Sequence, residues 1–346
     1  MLEAFLTICA LENPGLCAER MIPVSSPTEA ACERRAAPIA ANWTDITIAG
    51  AITCRKPTTR DPILAFTEIA PGVLVHKGAI ADVSPENLGD IANIGLIIGT
   101  EHAVVIDAGG SRAVGEALWR GIRAHTSLPI SHVILTHMHP DHVFGAAVFR
   151  EAGAEIIGHR ALPEALAARA AAYRAGFDRL VGRDGMLGSR IIAPDRMLTA
   201  PETLDLGGRK ITLTPWPMAH TGTDVTVHDP ETATLFAGDL VFDDHAPALD
   251  GSLLGWEKVL AQFDAIAPAR VVPGHGGPVL PWPDGVAPLK RYLAALKNEL
   301  RAAIAAGKSL VDVAETIGQD EADKWRLFDL FNARNATVAF TELEWE

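Results

Sequence analysis

The segment Thr136-His137-Met138-His139-Pro140-Asp141-His142 places three imidazoles and a carboxylate within seven residues. It follows the apolar run 133–135, so we expect a buried strand that ends in a ligand-bearing loop. Divalent ions such as zinc bind imidazole nitrogen and carboxylate oxygen, and side chains on one loop can point at one centre. Pro140 and the alternation of His137 and His139 favour an extended segment and a turn over the helix of an HExxH site. The segment therefore predicts a metal site.

The composition excludes several classes of protein. The chain has 346 residues, of which 48% are hydrophobic and 21% are charged, as in a globular protein with one large domain or two. The sequence has no run of eighteen apolar residues, so we expect no membrane insertion. The net charge is −13 and Lys and Arg form no dense cluster, which argues against nucleic acid as a partner. A small-molecule substrate is the expected partner.

All the cysteines lie before the metal segment, at Cys9, Cys17, Cys32 and Cys54. Their spacing contains no CxxC pair, and an even number in a short segment favours two disulfides, with three pairings open. Disulfides would indicate the periplasm. The acidic start at Glu3 and the short apolar run 4–11 are not typical of a signal peptide and would suit the cytoplasm. The sequence leaves both compartments open.

The pattern along the chain predicts a mixed α/β architecture. Residues 1–62 are rich in Ala, Pro and Cys and are predicted to form a small module with only short helical stretches. Residues 63–346 are predicted to form the main domain with a C-terminal helical extension. Short β-branched runs predict strands at 72–77, 94–99, 103–107, 132–136, 210–216, 224–227, 234–237 and 270–273. Amphipathic runs predict helices at 114–122, 161–181, 253–263 and 289–304.

A site with two metals needs more ligands, and three later segments offer them at the ends of predicted strands. Their polar side chains are His220, Asp239 and His275, each in a glycine-containing turn after an apolar run. Glycine lets the backbone turn tightly and deliver one side chain into a shared cleft. Each residue alone would more often be an ordinary loop residue. Together with the first segment they predict one composite site.

These segments resemble the metallo-β-lactamase-fold hydrolases over roughly residues 64–307. The family's HxHxDH signature and its later ligands match, in order, His137, His139, Asp141, His142, His220, Asp239 and His275. Its early Asp, which supports the metal loop without binding metal, matches Asp107. The resemblance implies an αββα sandwich of two mixed sheets with outer helices, and a site between the sheet edges.

Asp239 refines this resemblance. The β-lactamases of the superfamily carry Cys or Ser at this position, whereas glyoxalase II-like members carry a metal-bridging Asp, so antibiotic hydrolysis is disfavoured. A closer similarity is to the quinoprotein relay system zinc metallohydrolases, in the Cys-bearing N-terminal segment and in residues 247–252 and 334–344. That bacterial group is associated with quinone-cofactor dehydrogenases. The similarity therefore implies a functional link to a quinoprotein dehydrogenase system.

The resemblance also implies two zinc ions, with iron or manganese as alternatives. The ligand sets would be His137, His139 and His220 for one ion and Asp141, His142 and His275 for the other, with Asp239 bridging. A metal-bridging hydroxide would attack the carbonyl of an ester, thioester, lactone or amide, and Asp141 would orient it and move its proton. The alternatives are a persulfide dioxygenase with one iron and a non-catalytic protein that binds a quinone cofactor.

Other polar residues receive no catalytic role from the sequence. Ser252 and Thr221 are predicted to be cap and turn residues, because no Ser-His-Asp arrangement is needed. His245 is predicted to be a solvated loop residue at the mouth of the cleft. Tyr173 and Tyr292, the two tyrosines of the chain, adjoin no ligand segment, so a tyrosine-assisted lactonase site has no clear candidate.

Overall fold

The computed structural model describes residues 1–44 and 46–346. An antiparallel sheet and one helix form an N-terminal module. Its elements are β1 (Leu2–Ala10), β2 (Asn13–Ser26), α1 (Glu29–Ala40), β3 (Thr47–Ile48) and β4 (Thr53–Arg55). Two disulfides, Cys9–Cys17 and Cys32–Cys54, select one of the three open pairings. The expectation of two disulfides is confirmed.

The N-terminal module contains more strand than its sequence predicts. The prediction of only short helical stretches is wrong, because β1 and β2 are long paired strands. β1 is buried on both faces: Leu6 and Ile8 pack with α1, and Phe5 packs with the core of the main domain. Such a strand lacks the alternation that would identify it in the sequence. Met21 of β2 also packs with the main domain, and its carbonyl accepts a 2.8 Å hydrogen bond from Arg112.

The second sheet is mixed and carries the first half of the site. Its strands are β5 (Thr67–Ala70), β6 (Val73–His76), β7 (Ile94–Ile98), β8 (Ala103–Ile106), β9 (Ile130–Ile134), β10 (Glu155–His159) and β11 (Arg196–Leu198). Strands that are consecutive in the chain lie next to each other in this sheet, and β8 to β11 are parallel. The helices of this half are α2 (Arg112–His125), α3 (Pro140–Val143), α4 (Ala146–Glu151) and α5 (Leu162–Leu180).

The third sheet carries the second half of the site. Its strands are β12 (Glu202–Asp205), β13 (Lys210–Pro215), β14 (Val225–Asp229), β15 (Thr234–Phe242), β16 (Arg270–His275) and β17 (Leu280–Pro281), which pair in this order. Among the described pairs of neighbouring strands in this sheet, only β15 and β16 run parallel, and the other pairs are antiparallel. The helices are α6 (Leu253–Ile266), α7 (Ala287–Ala305), α8 (Leu310–Val313) and α9 (Phe328–Leu343), with 3-10 turns at Asp284–Val286 and Gln319–Lys324.

The two large sheets pack face to face and helices cover both outer faces. Val104 and Ile134 of the second sheet meet Val227 and Phe236 of the third in one buried cluster. A second cluster joins the outer face of the second sheet to α2, α4 and α5, and a third joins the other sheet to α6, α7 and α9. The expected αββα architecture is confirmed. Within the described residues, no helix is long and apolar enough to cross a membrane.

Candidate metal centre

Asp107 follows β8 and holds the loop that follows β9. Its backbone lies in the left-handed region, with a φ of 65°, which Asp adopts more readily than most residues. Its carboxylate accepts hydrogen bonds of 2.8 Å from the Thr136 N–H, from the Thr136 hydroxyl and from His142 Nδ1. This buried carboxylate therefore fixes both ends of the segment 136–142.

His137, His139 and His220 form one cluster with Asp239. His139 Nδ1 lies 3.0 Å from His137 Nε2 and 3.1 Å from His220 Nε2. Asp239 Oδ2 lies 3.5 Å from the Nε2 atoms of both His137 and His220. The four candidate ligand atoms lie within 4.8 Å of one another. This spacing suits tetrahedral binding of one metal ion.

Asp141, His142 and His275 form a second cluster beside the first. Asp141 Oδ2 lies 3.3 Å from His275 Nε2 and 3.5 Å from His142 Nε2. Asp239 borders this cluster as well, because its Oδ1 lies 3.2 Å from His142 Nε2 and its Oδ2 lies 3.4 Å from His275 Nε2. The structure thus brings all seven expected ligand residues together, with Asp239 between the two clusters.

The outward nitrogen of each clustered histidine contacts an oxygen atom. The pairs are His137 Nδ1 with Thr136 Oγ1, His139 Nε2 with Asp250 Oδ2, His142 Nδ1 with Asp107 Oδ2, His220 Nδ1 with the Ala248 carbonyl and His275 Nδ1 with the Ile91 carbonyl. An outward N–H that donates to such an oxygen leaves the lone pair of the other ring nitrogen directed into the cluster.

The inward atoms of the clusters call for a cation. His142 Nε2 and Asp239 Oδ1 are buried and lie 3.2 Å apart, but neither atom makes a hydrogen bond among the described residues. Converging lone pairs and carboxylates repel one another unless a positive charge lies between them. The residues therefore fit a divalent metal in each cluster.

The two clusters differ in their affinity for protons. Burial and the nearby His142 lower the pKa of His137 far below its usual value, and burial lowers the pKa of His220 to about 3. Although burial opposes protonation of His275, the Asp239 carboxylate raises its pKa to about 9. His137 and His220 are thus neutral imidazoles, the form that binds metal. The second cluster would release protons on binding metal.

Two glycines let β15 and β16 approach the metal loop. A Cβ on Gly274 would collide with Asp239 Oδ1, and a Cβ on Gly238 would lie 2.7 Å from the Thr136 side chain. Gly238 also has a φ of 53°, in the left-handed region. The pairing register of β15 and β16 shifts here, so Asp239 lies inside a strand that continues to Phe242. The predicted end of this strand at 237 is therefore wrong.

The clusters lie at the bottom of an open cleft of about 260 Å³. We call the seven clustered His and Asp residues the floor. We call the cleft-lining side chains of α5 and α9 the wall, which comprises Arg169, Tyr173, Phe177, Leu180, Phe331 and Arg334. A larger cavity of about 550 Å³ lies beside the N-terminal module and shares no lining residue with this cleft. The smaller cleft is the candidate substrate site because it contains the floor.

Two residues of the cleft differ from their predictions. His245 is only 3% exposed and packs between His275 and Phe331, with ring centroids 4.8 and 4.9 Å away, so its prediction as a solvated residue is wrong. The preceding residue, Asp244, has a φ of 58°, in the left-handed region. Tyr173 lines the cleft, so the structure supplies the tyrosine that the sequence did not. No motif near Tyr173 signals this, because the fold alone brings α5 to the floor.

The part of the chain that carries the two clusters matches a known protein family. The model of the metallo-beta-lactamase superfamily matches residues 88–275, more than half of the chain. The chain belongs to the metallo-beta-lactamase superfamily. An acyl-coenzyme A thioesterase, MBLAC2 of Bos taurus, is 29% identical over 217 residues, which cover 54% of this chain and 74% of that protein. The Homo sapiens protein of the same name is 28% identical with the same coverage.

Solved structures also share the metallo-beta-lactamase superfamily fold. A metallo-beta-lactamase from Pontibacter korlensis has a TM-score of 0.54 and 22% identity, covering 67% of this chain and 99% of that one. The sec-alkylsulfatase Pisa1 from Pseudomonas sp. has a TM-score of 0.57 and 17% identity, covering 74% of this chain and 45% of that one. At these identities the two structures support the fold and carry no conclusion about the substrate.

Proposed function

We propose that this hydrolase uses two metal ions to cleave acyl esters or thioesters. The observation that carries the proposal is the floor, where five imidazoles and two carboxylates converge in two clusters that Asp239 joins. Nitrogen and carboxylate ligands suit zinc, with iron and manganese as alternatives. In the proposal one ion is held by His137, His139 and His220 and the other by Asp141, His142 and His275, with Asp239 bridging.

The ions would supply the nucleophile, and the chain would position it and handle its proton. Two divalent ions at the floor would lower the pKa of a shared water from ~15.7 toward ~7 and polarise the scissile carbonyl. Asp141 lines the cleft as a carboxylate, because His142 and His275 lower its pKa although burial opposes ionisation. Asp141 is therefore placed to accept the proton of the attacking water and pass it to the leaving group.

A thioester is the favoured substrate among the esters, thioesters, lactones and amides that the sequence leaves open. The MBLAC2 relatives are named as acyl-coenzyme A thioesterases, which supports this choice. The hydroxyls of Ser252 and Thr221 are engaged in hydrogen bonds within the protein. Ser252 Oγ accepts from the Gly255 N–H, which confirms it as a cap, and Thr221 Oγ1 donates to Asp224. The attacking group in this proposal is therefore water.

Metal analysis followed by a substrate panel tests the proposal. We expect two zinc ions per chain and turnover of acetyl-coenzyme A or 4-nitrophenyl acetate by the purified protein. One iron per chain with oxygen uptake on glutathione persulfide would overturn the proposal in favour of a dioxygenase. Tight binding of a quinone cofactor without turnover of any ester, thioester, lactone or β-lactam would overturn it in favour of a carrier protein.

Two further parts of the proposal rest on other segments. The similarity of residues 247–252 and 334–344 to the quinoprotein-associated group supports a functional link to a quinoprotein dehydrogenase system. The disulfides Cys9–Cys17 and Cys32–Cys54 support an oxidising compartment such as the periplasm. Loss of quinoprotein dehydrogenase activity on deletion of the gene would test the first part. Cell fractionation would test the second.

A further inference from the structure

The wall contains hydrogen-bond donors that the protein leaves free. Arg169 Nη1 and Arg334 Nη2 each lie 3.2 Å from Asp250, and the two side chains remain 39% and 56% exposed. A guanidinium has five N–H groups, so most donors of both arginines are available to a ligand. The Tyr173 hydroxyl is buried and has no hydrogen-bond partner among the described residues. A buried hydroxyl without a partner is costly unless a ligand supplies an acceptor.

These donors converge on one side of the cleft. Arg169 and Tyr173 are four residues apart on α5, so their side chains lie on the same face of the helix. Arg334 comes from α9, and its ion pair with Asp250 brings it to Arg169. All three side chains line the cleft that contains Asp141. A ligand group bound by them would lie beside the floor.

The position of Arg334 is built into the packing of α9. The next residue, Asn335, is fully buried, accepts a 2.8 Å hydrogen bond from the Leu249 N–H and donates one of 2.6 Å to the Pro247 carbonyl. Further along α9, Glu342 accepts a 2.7 Å hydrogen bond from the Leu253 N–H. The segments 247–252 and 334–344, which stand out in the sequence, therefore pack against each other. Their contact holds Arg334 at the cleft.

The charge of this group matches one carboxylate. Two positive charges from Arg169 and Arg334 and one negative charge from Asp250 leave a single positive charge, in a protein whose net charge is −13. Burial raises the pKa of Tyr173 to about 12, so its hydroxyl keeps its proton and donates. A singly charged acceptor with two oxygens fits these donors.

We propose that Arg169, Tyr173 and Arg334 bind a carboxylate of the substrate. The protein then hydrolyses acyl esters or thioesters that carry a carboxylate close to the bond that is cut. Phe177 and Leu180 extend the same wall and contact the apolar remainder of the molecule. This assignment rests on the proposed hydrolase function and names its substrate class.

Paired esters test the carboxylate site. The two esters of each pair differ by one carboxylate. Mono-4-nitrophenyl succinate carries it on the acyl side and is compared with the neutral 4-nitrophenyl butyrate. 4-Acetoxybenzoate carries it on the leaving group and is compared with the neutral phenyl acetate. We expect kcat/KM of the wild-type protein to favour the charged member of at least one pair by about tenfold, the usual scale of a hydrogen bond to a charged group. Equal rates within both pairs would overturn the assignment.

Substitutions assign the preference to the wall. R169Q/R334Q should reduce the charged-to-neutral ratio of kcat/KM by about tenfold or more, and Tyr173→Phe by about threefold. The control is Arg179→Gln, which removes a charge from the exposed side of α5 and should keep the wild-type ratio. Equal losses on charged and neutral esters in R169Q/R334Q would overturn the site. Equal losses in Tyr173→Phe would remove Tyr173 from it.

Succinate binding gives a readout that needs no turnover. Calorimetry on the metal-loaded full chain should show at least about tenfold weaker succinate binding by R169Q/R334Q than by the wild type at equal metal content. Equal affinity would overturn the site. Arginine-dependent binding without ester turnover would overturn the hydrolase function and support the site. Turnover with no charge preference and no arginine dependence would overturn the site alone.

Discussion

The floor and the wall of the cleft are held in place in different ways. The floor histidines and aspartates come from two loops, the short helix α3 and the strands β15 and β16. The outward nitrogens of the histidines contact oxygen atoms of the protein. The wall comes from α5 and α9, its arginines are partly exposed, and the Tyr173 hydroxyl has no partner among the described residues. The floor has metal ligands held in fixed positions, and the wall has hydrogen-bond donors without partners. The reaction and the selection of the substrate would therefore depend on different residues. In the proposed function, the floor determines which kind of bond is cut, and the wall determines which substrate is bound.

The largest effect should follow from removing floor ligands of both clusters. The double variant H139A/D141A should lose its metals and fall to the background rate, because each ion loses a protein ligand. Metal content, ester turnover and circular dichroism would be measured together. The matched control H125A/D323A removes one exposed imidazole and one exposed carboxylate and should stay active. Full turnover by a folded H139A/D141A protein would show that the floor is not the reaction centre.

A smaller effect should follow from weakening the support of the floor. Asp107→Asn keeps the shape and tolerates the left-handed backbone, but one of its oxygens becomes a donor that cannot accept from Thr136 or His142. Loss of such an outer hydrogen bond typically lowers metal affinity or activity by about 10- to 100-fold. Competition for zinc with a chromophoric chelator would measure this. Unchanged zinc affinity would mean that the floor does not depend on Asp107.

Asp250 touches both regions, so its substitution should affect them in opposite directions. Asp250→Asn weakens the orientation of His139, and we expect metal affinity to fall by about tenfold. It also removes the negative charge between Arg169 and Arg334, so the preference for a carboxylate ester should rise severalfold. Zinc competition and the paired esters would measure the two effects separately. Parallel losses in both would show that floor and wall are a single unit.

The smallest effect should concern the scaffold behind the wall. The buried Glu321 accepts hydrogen bonds from Arg291, Lys324 and Trp325, which lower its pKa to about 2 although burial opposes ionisation. Because the folded pKa is lowered, this stabilisation is present above about pH 4.5 and is lost as the pH falls toward 2.

Glu321→Gln should therefore lower the free energy of unfolding by about 1–3 kcal/mol at pH 7, and the difference should shrink in acid. Urea unfolding at pH 7 and pH 3 would measure it. The exposed Glu315→Gln is the matched control and should behave as the wild type at both pH values. A difference that is the same at both pH values would assign the effect to packing instead of charge.

The floor could be predicted from the sequence because its signals are local. His137 to His142 lie within a few residues of one another, and each later ligand lies in a glycine-containing segment next to an apolar run. The cap of α6 is local too: Ser252 accepts a hydrogen bond from the backbone N–H three residues on, as its position predicts. The arrangement of two sheets and outer helices followed from the resemblance that these segments carry.

The wall could not be predicted, since its residues meet only through the fold. Tyr173 lies on an Ala-rich helix without a ligand motif, and Arg334 lies near the end of the chain. The burial of His245, which follows the left-handed residue Asp244, has no signal in the sequence. The strands of the N-terminal module were missed for a related reason. β1 is buried by two different parts of the protein, and its apolar residues show no simple period.

The contact between β2 and α2 has a consequence for any shortened form of the protein. The buried Arg112 guanidinium donates to the Met21 carbonyl and pairs with Glu116 and Glu151. A chain that lacks residues 1–62 would leave part of this donor group without its acceptor and would open the core to water where Phe5 and Met21 had packed. Such a fragment should aggregate or unfold more readily, so residues 1–62 contribute to the stability of the sheets that carry the floor.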